Sequence, residues 1–426
     1  MRSKIVSVSA FAVMMALCAS SPPAAAGDAS GDTAAAPAQA DSFVGLKWVG
    51  TWATALTAAS QFDTGRSLSG FEDESIRMIV QTSIGGGLVR IRLSNVYGDR
   101  DLTIGHATVA RPAAPSAADL DARSVRRLSF RGRQTVTVPA GQEVVSDPVL
   151  MLVQPLGQLA VTIYLPQATG PTSFHWFARQ TAFVYAGDHA ADPVGAGSTM
   201  TLGNFHFLAG VEVLRNRSDG AVVVLGTSIS DGPFLPLNGN QRWPDFLAQR
   251  LAQKRHDGRD LGVLNLALSG NAATHDGVEV GLPEIGPSGV NRLGEHVFVQ
   301  PGVRTVIVEL GINDIFQHDE TPETIIAGLQ QIAADLHEQG VRVLLGTLVP
   351  ATGDPSWTAV REATRQAVNH YVRTTRDADG VVDLDLALRD PADPARLNPL
   401  FDRGDHVHPN EQGNMAIAEI VPLSRL

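Results

Sequence analysis

The chain has 426 residues, 44% of them hydrophobic, enough to bury two ordinary cores. Its formal charge is −11 and no basic stripe runs along it, which argues against nucleic acid or another polyanion as a partner. A single cysteine, Cys18, excludes an internal disulfide, so stability must come from packing.

The chain opens with Arg2 and Lys4, an apolar run from Val6 to Leu17, and a small-residue stretch ending Ala24-Ala25-Ala26. This order reads as a cleavable signal peptide over 1–26, too short for stable membrane insertion, and it predicts a secreted or periplasmic product. Lipid attachment at Cys18 is the second reading, and Leu17 is a poor residue to precede it. Cleavage after Ala26 would remove Arg2, Lys4 and the cysteine, taking the charge to −13. Residues 27–42, rich in Ala, Asp, Gly and Ser, read as a flexible linker.

Residues 43–207 carry a β pattern. Ile76, Met78 and Val80 alternate with Arg77, Ile79 and Gln81, and Val89, Ile91 and Leu93 alternate with Arg90, Arg92 and Ser94. Gly85-Gly86-Gly87 lies between them, so the pair reads as a hairpin. Further short runs at 134–138, 149–153, 159–165 and 173–185 are separated by Pro, Gly and Asp, which predicts an all-β sandwich domain. Trp52, Trp176 and Phe183 read first as core aromatics and second as a sugar-binding platform.

From 208 to 426 strands alternate with helices. Apolar runs at 221–225, 262–266, 305–310, 341–345 and 381–384 read as parallel strands covered on both faces. Amphipathic stretches at 243–254, 323–339 and 357–374 separate them, and 410–420 reads as a closing helix. In the second stretch Ile325, Leu329, Ile332 and Leu336 recur at helical spacing, and Gly340 follows where a helix C-cap glycine belongs. A doubly wound α/β domain follows, with ligands expected outside the strand C-termini.

Four segments lie at those strand ends. Ser228 sits in the turn after Leu225, with Ser230 beside it as the better helix-capping serine. A serine hydroxyl needs a base to become nucleophilic, and Asp405-x-x-His408 supplies an imidazole with a carboxylate three residues back to orient it. His406 lacks a carboxylate at that spacing and reads as an exposed loop histidine. Gly270 can offer a backbone N–H, and Asn313 a side-chain N–H, to a developing oxyanion. Asp314 reads as a holder of loop backbone. His275-Asp276 reads as loop polarity, and no metal cluster or cofactor motif is recognised.

Gly226-Thr227-Ser228, Ser269-Gly270-Asn271, Gly311-Ile312-Asn313-Asp314 and Asp405-His406-Val407-His408 together resemble the four blocks of the SGNH/GDSL hydrolase family, in order and spacing. The resemblance implies a three-layer α/β/α SGNH-hydrolase domain with a parallel sheet. It also implies a triad of Ser228, Asp405 and His408, and an oxyanion hole formed by Ser228, Gly270 and Asn313, with no cofactor and no metal. Arg242-Trp243-Pro244, and Trp48-Val49-Gly50-Thr51-Trp52 in the β domain, resemble phrases of secreted carbohydrate-esterase and lysophospholipase-like members. Thr227 departs from the family's usual aspartate, and Ala272 from a frequent arginine. The expected substrate is an ester, with short acyl groups on carbohydrate favoured and a lipid ester as the alternative. A polysaccharide-binding protein with a decayed hydrolase domain is the reading of another class, supported by Thr227 and opposed by intact Ser228, Asn313, Asp405 and His408. The loop 231–241 is expected to shape the acyl pocket.

Overall fold

In a computed structural model, residues 45–63, 65–216, 219–253 and 260–426 are described. The leader expected at 1–26 and the linker expected at 27–42 lie outside the described residues. Two antiparallel sheets come first. One runs Leu46–Ala53, Leu208–Asn216, Gly86–Ser94, Glu143–Val145, and Val149–Val153 also pairs with Gly86–Ser94. The other runs Met200–Leu202, Ala182–Ala186, Glu74–Gln81, Gln158–Leu165, His106–Ala110, Arg126–Arg127. Val49, Ile91 and Val211 of the first share a core with Met78, Val161 and Val184 of the second.

The hairpin expected around Gly85-Gly86-Gly87 does not form. Glu74–Gln81 and Gly86–Ser94 belong to different sheets. The chain crosses between them in two residues: Thr82 N–H still bonds Gly157 C=O at 2.8 Å, whereas Ser83 N–H bonds Thr51 C=O at 2.9 Å. Alternating apolar runs flanking a glycine-rich link are compatible with either path, and long-range pairing decides.

The strand Leu208–Asn216 lies beyond the β boundary read at residue 207, yet it pairs on both sides within the first antiparallel sheet. The parallel sheet begins with Gly220–Leu225, four residues further on. Its order is Leu261–Asn265, Gly220–Leu225, Val303–Val308, Arg342–Gly346, Gly380–Val382. Successive side chains on a strand point to opposite faces, and here that builds three layers. Val223 and Leu225 join the core containing Ile325, Leu329 and Ile332 of the helix Pro322–Glu338. Val222 and Val224 join Trp243 and Leu247 of the helix Trp243–Gln253 and Ile417 of the closing helix Glu411–Ile420. Thr321, Thr358 and Asn410 cap their helices by accepting backbone N–H groups, and Gly340 has φ +69° just past its helix.

The antiparallel and parallel parts meet along the strands Leu46–Ala53 and Leu261–Asn265. Two glycines permit this approach: a Cβ on Gly262 would stand 2.2 Å from Gly50 C=O, and one on Gly50 2.7 Å from Leu264 Cδ1. Among the described residues no helix is long and apolar enough to cross a membrane.

Candidate active site

In a 2-1-3-4-5 sheet the chain leaves the C-terminal ends of the first and third strands towards opposite faces, and a crevice opens between the two departing segments. The first strand, Gly220–Leu225, delivers Ser228 to it, and the third, Val303–Val308, delivers Asn313. After Leu225 the chain makes a single helical turn, Ser228–Asp231, stopped by Gly232 at φ +68°. Thr227 is the N-cap and its Oγ1 accepts Ile229 N–H, so the capping role expected of Ser230 falls to Thr227. As the first helical residue, Ser228 has an N–H with no acceptor one turn back.

Beneath this turn lies Glu309, which the sequence reading missed. Its carboxyl accepts Thr227 N–H at 2.9 Å, Thr227 Oγ1–H at 2.8 Å and Ser230 Oγ–H at 2.8 Å, and Ser230 Oγ accepts Trp243 Nε1–H at 2.9 Å. Burial pushes the Glu309 carboxyl up to about 7, against the pull of Thr227, Ser230 and the Arg292 charge. A Cβ on Gly226 would stand 2.5 Å from Ser230 Oγ, so glycine there lets the carboxyl close on the turn. The signal was an acidic residue, Glu309, inside the mainly apolar run 305–310.

Ser228 Oγ lies 2.8 Å from His408 Nε2, and His408 Nδ1 lies 2.8 Å from Asp405 Oδ2. Asp405 Oδ1 accepts the N–H groups of His408, at 2.8 Å, and Val407, at 3.1 Å. Burial alone would raise Asp405, but the His408 hydrogen bond and charge and these two N–H groups hold it well below the usual carboxylate range. His406 does have a carboxylate partner, Asp402 at 2.7 Å, and packs on Gly353. That carboxylate lies four residues back, not at the three-residue spacing that pairs Asp405 with His408.

Two residues beside His408 also escaped that reading. Arg403 Nη1 donates to Asp405 Oδ2 at 2.6 Å, and its guanidinium lies 3.9 Å from the Phe234 ring centroid. Phe234, 45% exposed, stands edge-on to the His408 ring at 4.8 Å. Phe234 belongs to the loop 231–241, which segment 179–181 holds by several bonds. Arg179 donates to Leu235 C=O, Thr181 N–H to Asn238 Oδ1 at 2.8 Å, and Gln180 Nε2 to Asn240 Oδ1 at 2.6 Å.

Gly270 has φ +84°, and a Cβ there would stand 2.8 Å from Ile285 Cγ2. Asn313 Nδ2 donates to Asn271 C=O at 2.9 Å, which ties the two expected oxyanion segments together and leaves the amide a second N–H. Asp314 holds the same loop through Ala273 N–H at 2.8 Å and Thr274 N–H at 3.0 Å. Arg292, fully buried, donates to Asn271 Oδ1, Leu266 C=O and Gly226 C=O, joining this loop to the serine turn. Trp52 is buried edge-on to Phe205 and Trp176 stacks on Phe177, so Trp52, Trp176 and Phe183 do not form one platform. His275 bonds Glu279 and Glu320 and stacks on His318. Among the described residues no group of three or more His, Cys, Asp or Glu could hold a metal ion.

A strand-end serine hydrogen-bonded to an imidazole, itself bonded to a carboxylate, is the arrangement serine hydrolases use. Residues 224–416 match the model of the GDSL-like lipase/acylhydrolase family. This part of the chain belongs to that family and is a carboxylic ester hydrolase domain. No curated protein sequence matches the chain. Among solved structures it is similar to a lipolytic protein of the G-D-S-L family from Desulfitobacterium hafniense, at 18% identity over 48% of this chain and 99% of that one, with a TM-score of 0.36. It is also similar to TesA, at 22% identity over 47% and 95%, with a TM-score of 0.34. A family two carbohydrate esterase from Cellvibrio japonicus aligns at 12% identity over 89% and 97%, with a TM-score of 0.36.

Proposed function

We propose that this is an exported serine esterase acting by acyl transfer, with Ser228 as nucleophile, His408 as general base and acid, and Asp405 as orienter. The observation that carries the reading is the Ser228–His408–Asp405 chain, with both links at 2.8 Å. His408 Nε2 takes the Ser228 proton as Oγ attacks the ester carbonyl. Ser228 N–H, Gly270 N–H and the free Asn313 Nδ2–H hold the oxyanion. His408 then gives its proton to the leaving alcohol, takes one from water, and the acyl-serine is hydrolysed. Asp405 stays ionised throughout, consistent with the depressed carboxyl, and holds Nδ1–H so that Nε2 faces the serine.

The substrate we favour is a short acyl group, such as acetyl, on a carbohydrate. The loop carrying Phe234 is fixed by polar bonds rather than left free to open, and the Phe234 face beside His408 suits stacking against a sugar ring. Lipid ester hydrolysis is the second reading, favoured by the exposed Phe234 and Leu237 on that loop. Within this proposal residues 1–26 are the export signal and 27–42 a linker.

The test is hydrolysis of p-nitrophenyl esters from acetyl to palmitoyl by the protein and its Ser228→Ala variant. Activity on acetyl and butyryl esters, lost in the variant, is the expected result. A preference for long chains would replace the carbohydrate reading with the lipid one, and a folded but inactive protein would count against catalysis.

A further inference from the structure

The β part reaches into the serine turn through His175, which ends the short strand Phe174–His175. His175 Nδ1 lies 2.9 Å from Ala55 C=O, and Nε2 lies 3.0 Å from Asp231 Oδ1. Both side chains are buried, at 4% and 2% exposure. A carbonyl only accepts, so Nδ1 carries a hydrogen. Nε2 then faces a carboxyl oxygen with one proton between them, on the ring or on the acid. The other Asp231 oxygen accepts Ser269 N–H at 3.1 Å and Ser269 Oγ–H at 2.5 Å. Ser269 immediately precedes Gly270.

Asp231 therefore ties three segments together: the one-turn helix begun by Ser228, the Gly270 loop, and the β part. A buried carboxylate left with only the two Ser269 donors would be costly. Arg179, Arg242 and Arg292 lie near enough for their charge to act on it, and His175 is the side chain that bonds the oxygen facing away from Ser269.

We propose that His175 is a positioning residue for the ester-hydrolysing site: by sharing a proton with Asp231 it fixes Ser269, and so holds the Gly270 N–H where the oxyanion forms. The proposal rests on the reading of Gly270 as an oxyanion donor. It gives the β part a role in the chemical step, apart from any part in substrate capture.

The experiment measures kcat and KM on p-nitrophenyl acetate for the full chain and for His175→Phe, His175→Gln and Asp231→Ala, with circular dichroism and Tm for each. His175→Phe is expected to lower kcat about 100-fold, the size of one lost oxyanion donor, with KM within about threefold. His175→Gln, whose amide can still donate to Asp231, should recover at least about tenfold of that loss. If His175→Phe does not fold, Asp231→Ala, which removes both the His175 and the Ser269 bonds, replaces it, with the same kcat loss expected. Folded variants that keep kcat within about threefold would overturn the proposal. So would a glutamine variant no better than the phenylalanine one, with kcat falling in step with Tm. Ser228→Ala and Asn313→Ala serve as references: if neither impairs the protein, it is the reading of the site that fails.

Discussion

Arg403 and His408 share one oxygen of Asp405, the guanidinium donating at 2.6 Å and Nδ1 lying at 2.8 Å. A carboxylate shared with a permanent cation stabilises an imidazolium less than one held by histidine alone. Arg403→Gln should therefore leave the imidazolium that forms as Ser228 attacks better stabilised, and kcat/KM on p-nitrophenyl acetate should not fall. At pH 8 kcat should stay within about threefold. A folded variant whose kcat/KM falls more than about tenfold would show that Arg403 instead helps to place Asp405.

Phe234 touches both Arg403 and the His408 ring and leaves nearly half its surface open. Phe234→Ala should raise KM roughly 2- to 10-fold, the worth of one aromatic contact, with little change in Tm. The increase should be largest for substrates carrying a ring on the alcohol side. Equal KM values for ringed and acyclic alcohols would remove Phe234 from substrate recognition.

Glu309 titrates near 7 when folded and at about 4.3 when unfolded, so the folded state holds the extra proton between those values. Its contribution to stability is full below about pH 4.3 and is lost as pH rises through 7. Glu309→Gln should flatten the fall of Tm between pH 5 and 8. Thr227→Asp, which restores the family's usual residue, should destabilise more at pH 8 than at pH 5. Two carboxyls within hydrogen-bond distance cannot both ionise there without repulsion. Thermal melts of the variants at the two pH values decide.

Gly270→Ala forces a Cβ into the left-handed region and to 2.8 Å from Ile285. About 1–2 kcal/mol of stability should go, together with about 100-fold in kcat if the N–H is displaced. Retained activity would mean that another group holds the oxyanion.

Much of the α/β part was legible because its signals are local. Five short, mainly apolar runs and three amphipathic stretches specify their own elements, and Asp405 reaches His408 within one turn. What escaped depends on pairs far apart in sequence: Thr227 with Glu309, His175 with Asp231, Arg179 with Leu235. Nothing in either segment of such a pair names its partner. Arg403 was missed for another reason, since an arginine two residues before an aspartate reads as ordinary surface charge until Phe234 is placed beside it. The false hairpin had the same origin: Gly85-Gly86-Gly87 permits a turn, and only the bonds of Thr82 to Gly157 and Ser83 to Thr51 commit the chain to a crossing.

The strand Leu208–Asn216 leads almost directly into the strand that presents Ser228, yet both of its edges are zipped into the antiparallel sheet. Cutting the chain at residue 207 would leave Leu208, Val211 and Val213 on a strand with two open edges, a template for aggregation. Gly50, whose lack of a Cβ lets it lie against Leu264, adds a second seam. Melting should accordingly run as one cooperative transition, the calorimetric and van't Hoff enthalpies agreeing, rather than as two steps. For this chain the unit that folds, and the unit on which selection or engineering can act, is larger than the unit that carries the hydrolase motifs.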